Sequence, residues 1–325
     1  MNFARYYHTA SILSTGQVIV AGGNSSSGFL SSAELYDSST GVWTMTRNTS
    51  SARFAHTASI VSSGKVLVAG GVSLTSFLQS TELYDPSTGH WTMTGNMSIA
   101  RYYHTASILS SGEVLVAGGI GLTGYLKSAE LYDPSTGYWT MTGNMSSGRY
   151  FHTASVLTNG KVLVAGGLES GAVSYTAALY DPSTGHWTMT GNMSSARFVH
   201  TASILSSGEV LVAGGIGLTG YLQSAELYDP STGHWIMTGN ISIARCYHTA
   251  SMLSTGKVLV AGGLGLAGYL QSAELYDATT GYWIIIGNMS SGRYFHTASV
   301  LTNGKVLVAG GSDPLGYLNS AELYG

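Results

Sequence analysis

Arginine and histidine recur at a fixed spacing in this chain of 325 residues. A segment of the form Arg-x-x-His-Thr-Ala-Ser returns every 48 residues without insertion or deletion. A ring of guanidinium groups could hold an anion or an acidic peptide. The alternative, which we favour, is that each arginine pairs with a glutamate of its own unit as a structural clamp. The arginines are Arg5, Arg53, Arg101, Arg149, Arg197, Arg245 and Arg293, and the glutamates are Glu34, Glu82, Glu130, Glu226, Glu274 and Glu322.

The fourth unit breaks this pattern, because Ala178 stands where the other units carry the glutamate. The loop before it, residues 169–175, also differs from its counterparts. The sequence therefore predicts that an arginine near this unit has lost its partner. We expect this to be Arg149, with Arg197 next, and we expect the unit to face a ligand.

The seven histidines do not form a convincing metal site. A sevenfold ring would hold imidazoles too far apart for tetrahedral coordination, and no carboxylate or thiolate lies beside them at ligand spacing. Cys246, Tyr247 and His248 superficially match a copper oxidase set, but tyrosine and histidine recur at these positions in other units. Other catalytic templates are absent as well. We expect no catalytic residue, no metal and no cofactor, and hence not an enzyme.

Each unit contains four short β-strand signals. In the third unit, residues 104–109 and 114–117 form a predicted hairpin around a Ser-Gly turn. A Gly-Gly pair follows, and residues 128–132 and 139–142 are predicted as strands three and four, joined by an Asp-Pro-Ser-Thr-Gly turn. Alternation places Trp139 and Met141 on one face of strand four, so both are predicted to pack between neighbouring sheets.

These marks together resemble the Kelch repeat, and the resemblance covers the whole chain. They are the glycine pair Gly118-Gly119, the Tyr132-Asp133 pair and Trp139, which recur in register. The resemblance implies an all-β, seven-bladed β-propeller of four-stranded antiparallel blades, forming a single domain over residues 1–325. Proteins of this family serve as binding modules, actin organisers, ubiquitin-ligase receptors and, rarely, copper oxidases.

The seventh unit stops at Tyr324-Gly325, so its blade is predicted to lack the fourth strand. Residues 1–4 are too few to supply a whole strand. We therefore expect the ring to close by packing alone, with strand three of the seventh blade as an exposed edge.

The residues that vary between units indicate a binding face. They lie just after each arginine and in the loop after each glycine pair, and the strand order places both loops on one face of the ring. Aromatic residues and arginine are typical anchors of protein interfaces. Packing between blades is the alternative role for the same rings. The candidate ligand-binding residues are Arg149, Arg197, Tyr102, Tyr150, Tyr175, Tyr125, Tyr221 and Tyr269.

The composition of the chain restricts the classes of binding partner that we expect. The formal charge is −3 and charged residues make up 9% of the chain, which argues against nucleic acid and anionic membranes. We predict a monomeric scaffold that binds an unidentified protein or acidic peptide. The alternative is an extracellular carbohydrate-binding or galactose-oxidase-like propeller, supported by seven Asn-x-Ser/Thr sequons. With a single cysteine a cytoplasmic location is the default, and secretion stays open.

Overall fold

The computed structural model of the protein describes residues Met1–Gly325 and contains seven antiparallel sheets arranged as blades. Six blades have four strands, and the seventh has three. This confirms the predicted Kelch-type propeller with an incomplete last blade. The structure has no helix that could cross a membrane.

Within each blade the strands pair in chain order, and we number blades and strands from the amino end. First strands are Thr9–Ile12, Thr57–Ile60, Thr105–Ile108, Thr153–Val156, Thr201–Ile204, Thr249–Met252 and Thr297–Val300. Second strands are Val18–Ala21, Val66–Ala69, Val114–Ala117, Val162–Ala165, Val210–Ala213, Val258–Ala261 and Val306–Ala309. Third strands are Ala33–Asp37, Thr81–Asp85, Ala129–Asp133, Ala177–Asp181, Ala225–Asp229, Ser272–Asp277 and Ala321–Tyr324. Fourth strands are Val42–Met45, His90–Met93, Tyr138–Met141, His186–Met189, His234–Met237 and Tyr282–Asn288.

Short hairpins extend from one face of the ring, between strands two and three. They are Asn24–Ser25 with Gly28–Phe29, Ile120–Gly121 with Gly124–Tyr125, Leu168–Glu169 with Ala172–Val173, Ile216–Gly217 with Gly220–Tyr221, Leu264–Gly265 with Gly268–Tyr269, and Ser312–Asp313 with Gly316–Tyr317. Blade 2 has a single bridge here, between Val72 and Phe77. In blade 4 the strand Arg149–Tyr150 pairs with the hairpin.

The hydrophobic core lies between blades. Second strands are fully buried because blades cover both of their faces. Leu157 and Leu163 of blade 4, for example, pack with Val210 and Val212 of blade 5. The Gly-Gly pair is needed at the end of strand two, since a Cβ on Gly118 would lie 2.6 Å from the carbonyl oxygen of Arg149.

The outer strand behaves only partly as predicted. Trp139 packs into the core between blades 2 and 3, and the tryptophans of the other blades pack in the same way. The methionine prediction was wrong, because Met141 is 48% exposed. Met45, Met93, Met189 and Met237 are exposed to a similar extent. The neighbouring blade covers the indole, whereas about half of the methionine side chain stays exposed.

A closed cycle of hydrogen bonds joins the blades near the axis. Each histidine Nε2 is hydrogen-bonded with the threonine Oγ1 of the preceding blade, at 2.8 to 3.0 Å. The pair that closes the ring is His8 with Thr297. All seven junctions are thus connected by the same bond.

The seam between blades 7 and 1 contains further hydrogen bonds. The Met1 amino group donates to the Asn319 carbonyl oxygen at 2.8 Å, as the Met97 amide does to Gln79 at 3.0 Å between blades 2 and 3. The Arg5 amide donates to the Leu318 carbonyl oxygen. The expectation that the ring closes by packing alone was therefore wrong: residues 1–5 repeat the hydrogen bonds of the regular junctions.

Candidate functional site

The repeated arginines form ion-pair clamps inside the loop face, which is the face of the ring that carries the hairpins between strands two and three. Arg101 shows the pattern: its Nη1 donates to the carbonyl oxygens of Gly118 and Ser128 at 2.8 and 3.0 Å, and its Nη2 donates to Glu130 at 2.8 Å. All seven arginine side chains have zero exposure. The six glutamates predicted as partners accept from their arginines at 2.5 to 2.8 Å. The clamp is confirmed, and the ring of accessible guanidinium groups is excluded.

The glutamate of a regular clamp also fixes the turn that enters its blade. Glu130 accepts hydrogen bonds from the backbone amides of Ser98 and Ile99 at 2.6 and 3.2 Å. A buried carboxylate needs such donors, because burial removes the water that would solvate its charge. Each regular clamp therefore joins three pieces of backbone around one ion pair.

Blade 4 replaces the missing glutamate from a different place. Arg149 Nη2 lies 3.1 Å from Glu169, a residue of the hairpin, whose side chain is 22% exposed. Glu169 also accepts from the hydroxyls of Ser147, Ser174 and Thr176. The prediction that Arg149 lost its partner was wrong, since a carboxylate from the loop compensates for Ala178.

Arg197, the second arginine proposed to face a ligand, has a regular clamp with Glu226 at 2.8 Å. Both arginines are buried, so neither can touch a partner. Their charges are neutralised within the ring, which removes the basis for expecting an acidic peptide.

Beneath the loops, the mouth of the central channel is filled by side chains. At this mouth each blade contributes one residue with φ between 50° and 55°, the left-handed region that non-glycine residues rarely adopt: Tyr7, Ala55, Tyr103, Phe151, Val199, Tyr247 and Phe295. Tyr7 stacks on Phe295 with ring centroids 3.6 Å apart, and Tyr103 lies 4.3 Å from Phe151. With the histidines below them, these residues line a cavity of about 280 Å³.

Burial keeps the seven histidines of the repeated Arg-x-x-His segments in their neutral form. Desolvation, assisted by the neighbouring arginine charge, lowers the pKa of His152 and of His296 to about 3. The pKa values of the other five are lowered well below the ordinary value, with burial as the first cause. These residues are structural connectors at neutral pH.

Aromatic rings form a belt around the loop face. At five junctions the aromatic residue of one hairpin packs on the residue that follows the arginine of the next blade, with centroids 4.6 to 5.3 Å apart. The pairs are Tyr317 with Tyr6, Phe29 with Phe54, Phe77 with Tyr102, Tyr125 with Tyr150, and Tyr269 with Tyr294. Four predicted site residues, Tyr102, Tyr125, Tyr150 and Tyr269, are therefore partly used in packing.

The belt is interrupted at two adjacent junctions. Between blades 4 and 5, Val173 occupies the hairpin position opposite Phe198. Between blades 5 and 6, Tyr221 has no aromatic partner, because Cys246 stands where the other blades have a ring. Cys246 is fully buried, and burial raises the pKa of its thiol to about 12.

A cleft of about 560 Å³ opens at the second interruption. Tyr221, Leu222 and Gln223 line it from blade 5, and Ile243, Leu266 and Ala267 from blade 6. The Gln223 side-chain amide donates to the Ser242 carbonyl oxygen at 2.8 Å and closes one side. The cleft thus combines an unstacked tyrosine with aliphatic walls.

Exposed leucines surround this face at the hairpin tips. Their exposed fractions run from 76% to 95%, in Leu74, Leu122, Leu218, Leu266 and Leu315. Tyr175, another predicted site residue, is 50% exposed beside the variant loop of blade 4, where a cavity of about 240 Å³ includes Glu169. The sequence predicts leucine on this face, and such a leucine recurs in the loop after the Gly-Gly pair in five of the seven units, but these residues were not among the candidate site residues.

The profile of the KLHDC2/KLHL20/DRC7 Kelch-repeats domain matches residues 2–167, just over half of the chain. The chain belongs to the Kelch-repeat family. The Kelch motif profile matches residues 149–194 as well. No curated protein matches the sequence of this Kelch propeller.

Among 938 matching chains of solved structures is a fungal alcohol oxidase of the AA5 family, solved in complex with copper. Its TM-score is 0.78 at 22% sequence identity, over 95% of this chain and 70% of that chain. This likeness shows the fold. It also contradicts the prediction that this Kelch propeller is not an enzyme, because the same fold carries an oxidase in the fungal protein.

Because the fungal oxidase was solved with copper, copper is the cofactor to compare with the residues of this chain. The three residues singled out for it do not fit: Cys246 is buried behind the belt, Tyr247 lines the channel mouth, and His248 is hydrogen-bonded with Thr201. The structure contains no group of three or more His, Cys, Asp or Glu side chains placed to hold a metal ion. We derive no reaction step through copper.

Proposed function

We propose that this Kelch propeller binds a protein partner through its loop face, with the cleft between blades 5 and 6 as the principal contact. The observation that carries the proposal is the interruption of the aromatic belt at Tyr221. At five other junctions the hairpin aromatic packs on an aromatic ring of the next blade, whereas Tyr221 has no such partner and borders a cleft. Aromatic rings beside apolar pockets are common anchors of protein interfaces.

The chemistry of the cleft favours an apolar side chain of the partner. Its walls are mostly aliphatic, and Leu218 and Leu266 stand beside it as exposed hairpin tips. The nearby arginine charges are buried and paired with glutamates. An extended peptide with a leucine or aromatic residue is therefore a better match than an acidic one.

The chain offers a matched control for this proposal. The hairpin segments 120–126 and 216–222 have identical sequences, yet Tyr125 packs on Tyr150 and Tyr221 lacks a partner. Peptides selected from a displayed library on the intact chain would be measured against Tyr221→Ala and Tyr125→Ala. We expect Tyr221→Ala to weaken binding by about 30-fold, the effect of losing an anchor of about 2 kcal/mol, and Tyr125→Ala to change it little.

A third variant, Cys246→Tyr, supplies the missing ring of the belt. We expect it to fold normally, to cover Tyr221 and to weaken peptide binding. Equal affinity of all three variants and the parent chain would contradict the proposed site.

A second candidate is oxidation of an alcohol, the activity named for the fungal neighbour, and the shared fold is the observation in its favour. Copper titration of the purified chain, followed by an assay for hydrogen peroxide with a primary alcohol, tests it. Saturable binding of one copper ion with turnover of the alcohol would support oxidation. Weak, unsaturable binding without turnover would reject it.

A further inference from the structure

The central channel of the ring contains a second cavity, at the end away from the loop face. It has a volume of about 710 Å³, and all of its lining residues belong to the first strands of blades 7, 1, 2, 3 and 4. They come from the last three residues of each strand, for example Ala106, Ser107 and Ile108. Cavities of this size, with mostly apolar walls and a few polar groups, are typical of ligand sites.

Serine hydroxyls supply the polar side chains of this cavity. Four serines line it, each at least nine-tenths buried: Ser11, Ser59, Ser107 and Ser299. The threonine two residues earlier on each strand is hydrogen-bonded with a histidine of the next blade, as Thr57 is with His104. The serines point to the same side of the strand but have no partner within the protein. Buried hydroxyls of this kind need a partner from water or from a ligand.

Backbone groups add hydrogen-bonding capacity to the same wall. Each first strand is the inner edge of its blade and pairs only with the second strand. Its other edge faces the channel, so one row of backbone N–H and C=O groups is not used in the sheet. The cavity therefore offers both donors and acceptors between apolar side chains.

The lining of this cavity contains no charged side chain and no aromatic ring. An ammonium or carboxylate group would lose its hydration there without gaining a counter-ion. The apolar part of the wall consists of alanine, isoleucine and valine, repeated from strand to strand around the axis. These walls favour a neutral ligand with a compact aliphatic body.

We propose that this cavity, which we call the channel pocket, binds a compact neutral molecule with an aliphatic body and one hydroxyl group, such as an alicyclic alcohol. The hydroxyl of the ligand is hydrogen-bonded with the serines, and its body packs against Ile60 and Ile108. The ligand enters from the face opposite the loop face, because Tyr7, Tyr103 and Phe295 help to fill the other mouth of the channel. The channel pocket is therefore separate from the cleft between blades 5 and 6.

The probe for this site is 1-adamantanol, a cage-shaped tertiary alcohol that cannot be oxidised to a carbonyl compound. We expect it to bind the intact chain in calorimetry, with saturation at one molecule per chain. 1-Adamantanamine has the same cage with an ammonium group, and it should bind at least about 10-fold more weakly because the pocket holds no counter-ion. Equal affinity of the two compounds, or no saturable binding of the alcohol, would overturn the proposal.

Two matched substitutions locate the bound probe. Ile108 is 42% exposed at the mouth of the channel pocket, so Ile108→Trp narrows the mouth and should weaken binding of the alcohol at least about 10-fold. Ile236→Trp makes the same change on the outer strand of blade 5, where Ile236 is 55% exposed, and should leave the affinity unchanged. Equal affinity of these two variants would place the probe elsewhere and reject the site.

A milder variant tests the hydroxyls and does not depend on how the ring accommodates a tryptophan. Ser59→Ala combined with Ser107→Ala removes two of the four hydroxyls and should weaken binding of the alcohol about 3-fold or more, the effect of losing a hydrogen bond. Tyr221→Ala should bind the alcohol as the parent chain does, because its cleft lies on the loop face. Unchanged affinity in the double serine variant, or a loss in Tyr221→Ala, would also reject the proposal.

Discussion

Blades 3 and 4 hold the same arginine in two ways. In blade 3 the carboxylate comes from Glu130 on a buried strand and also binds two backbone amides. In blade 4 it comes from Glu169 on the hairpin, and three hydroxyl groups take the place of the amides. The arginine keeps its bonds to two carbonyl oxygens in both blades.

The difference shows which part of the clamp is fixed. The guanidinium is positioned by backbone carbonyls, and its charge must be neutralised because it is buried. The carboxylate can come from either of two strands, provided that enough donors surround it. The clamp of blade 4 is therefore the more solvated of the two, and the fourth hairpin is bound to the ring by its ion pair.

The largest expected effect comes from Glu130→Ala. It leaves Arg101 as an uncompensated buried charge and removes the acceptor of the Ser98 and Ile99 amides, so we expect a loss of about 3 to 5 kcal/mol of unfolding free energy. Urea denaturation measures it. A loss no greater than that caused by Glu169→Ala would mean that the two clamps are energetically alike.

Acid is expected to weaken all blades together. The folded-state pKa of each buried histidine lies below the unfolded value near 6.5, so its neutral form supports stability above that pH. This stability is lost as the pH falls from about 6.5 towards 3, because the unfolded chain gains protons first. Melting temperatures across this range should decline steeply. A flat profile down to pH 4 would show that these histidines are accessible in the folded ring.

Glu169→Ala should have a smaller effect, about 1 to 2 kcal/mol, since Arg149 keeps its carbonyl partners and water can reach the site. Partial burial acts to raise the pKa of Glu169, but hydrogen bonds from Ser147 and Ser174 and the Arg149 charge hold it below its ordinary value. Its contribution is present above the unfolded pKa and is lost below it. The gap between the melting curves of this variant and the parent should therefore be constant from pH 7 to 5 and close below about 4.

The smallest net change is expected from the pair Glu169→Ala and Ala178→Glu. The second substitution gives blade 4 the carboxylate of blade 3, so the double variant should come within about 1 kcal/mol of the parent. Thermal unfolding of both single variants and the double variant completes the cycle. A double variant no more stable than Glu169→Ala would show that the turn before Arg149 does not accept the regular clamp.

Much of the fold could be predicted because each strand signal is repeated with its turn chemistry. The second strand of blade 3, Val114–Ala117, has the predicted bounds; the first is one residue shorter at each end, and the third and fourth are displaced by one residue. The burial of side chains on the outer strand could not be predicted. Alternation places Trp139 and Met141 on one face but does not show how much of that face the next blade covers. The wrong expectation for Met141 follows from this limit.

The site was less accessible to sequence reasoning because its contacts join different units. The loops around Tyr125 and Tyr221 are identical, and only the next unit, with Tyr150 or Cys246, decides whether the tyrosine has an aromatic partner. The sequence contains one indication that blade 4 replaces its missing glutamate, since Glu169 occurs in the unit that lacks the regular one. The role of Glu169 could not be inferred, because it depends on the pairing of the hairpin with the strand that contains Arg149, which the structure shows.

Near-identity of the repeats also has a consequence for folding kinetics. Second strands read Val-Leu-Val-Ala in six of seven blades, so a partly folded chain can pack any two blades through almost the same core. Rings with a skipped blade, or blades exchanged between two chains, compete with the native order as kinetic traps. Departures from the repeat, such as Ala178 with Glu169 and Cys246, distinguish one register from another. Refolding yield should therefore depend on chain concentration more strongly than native stability does.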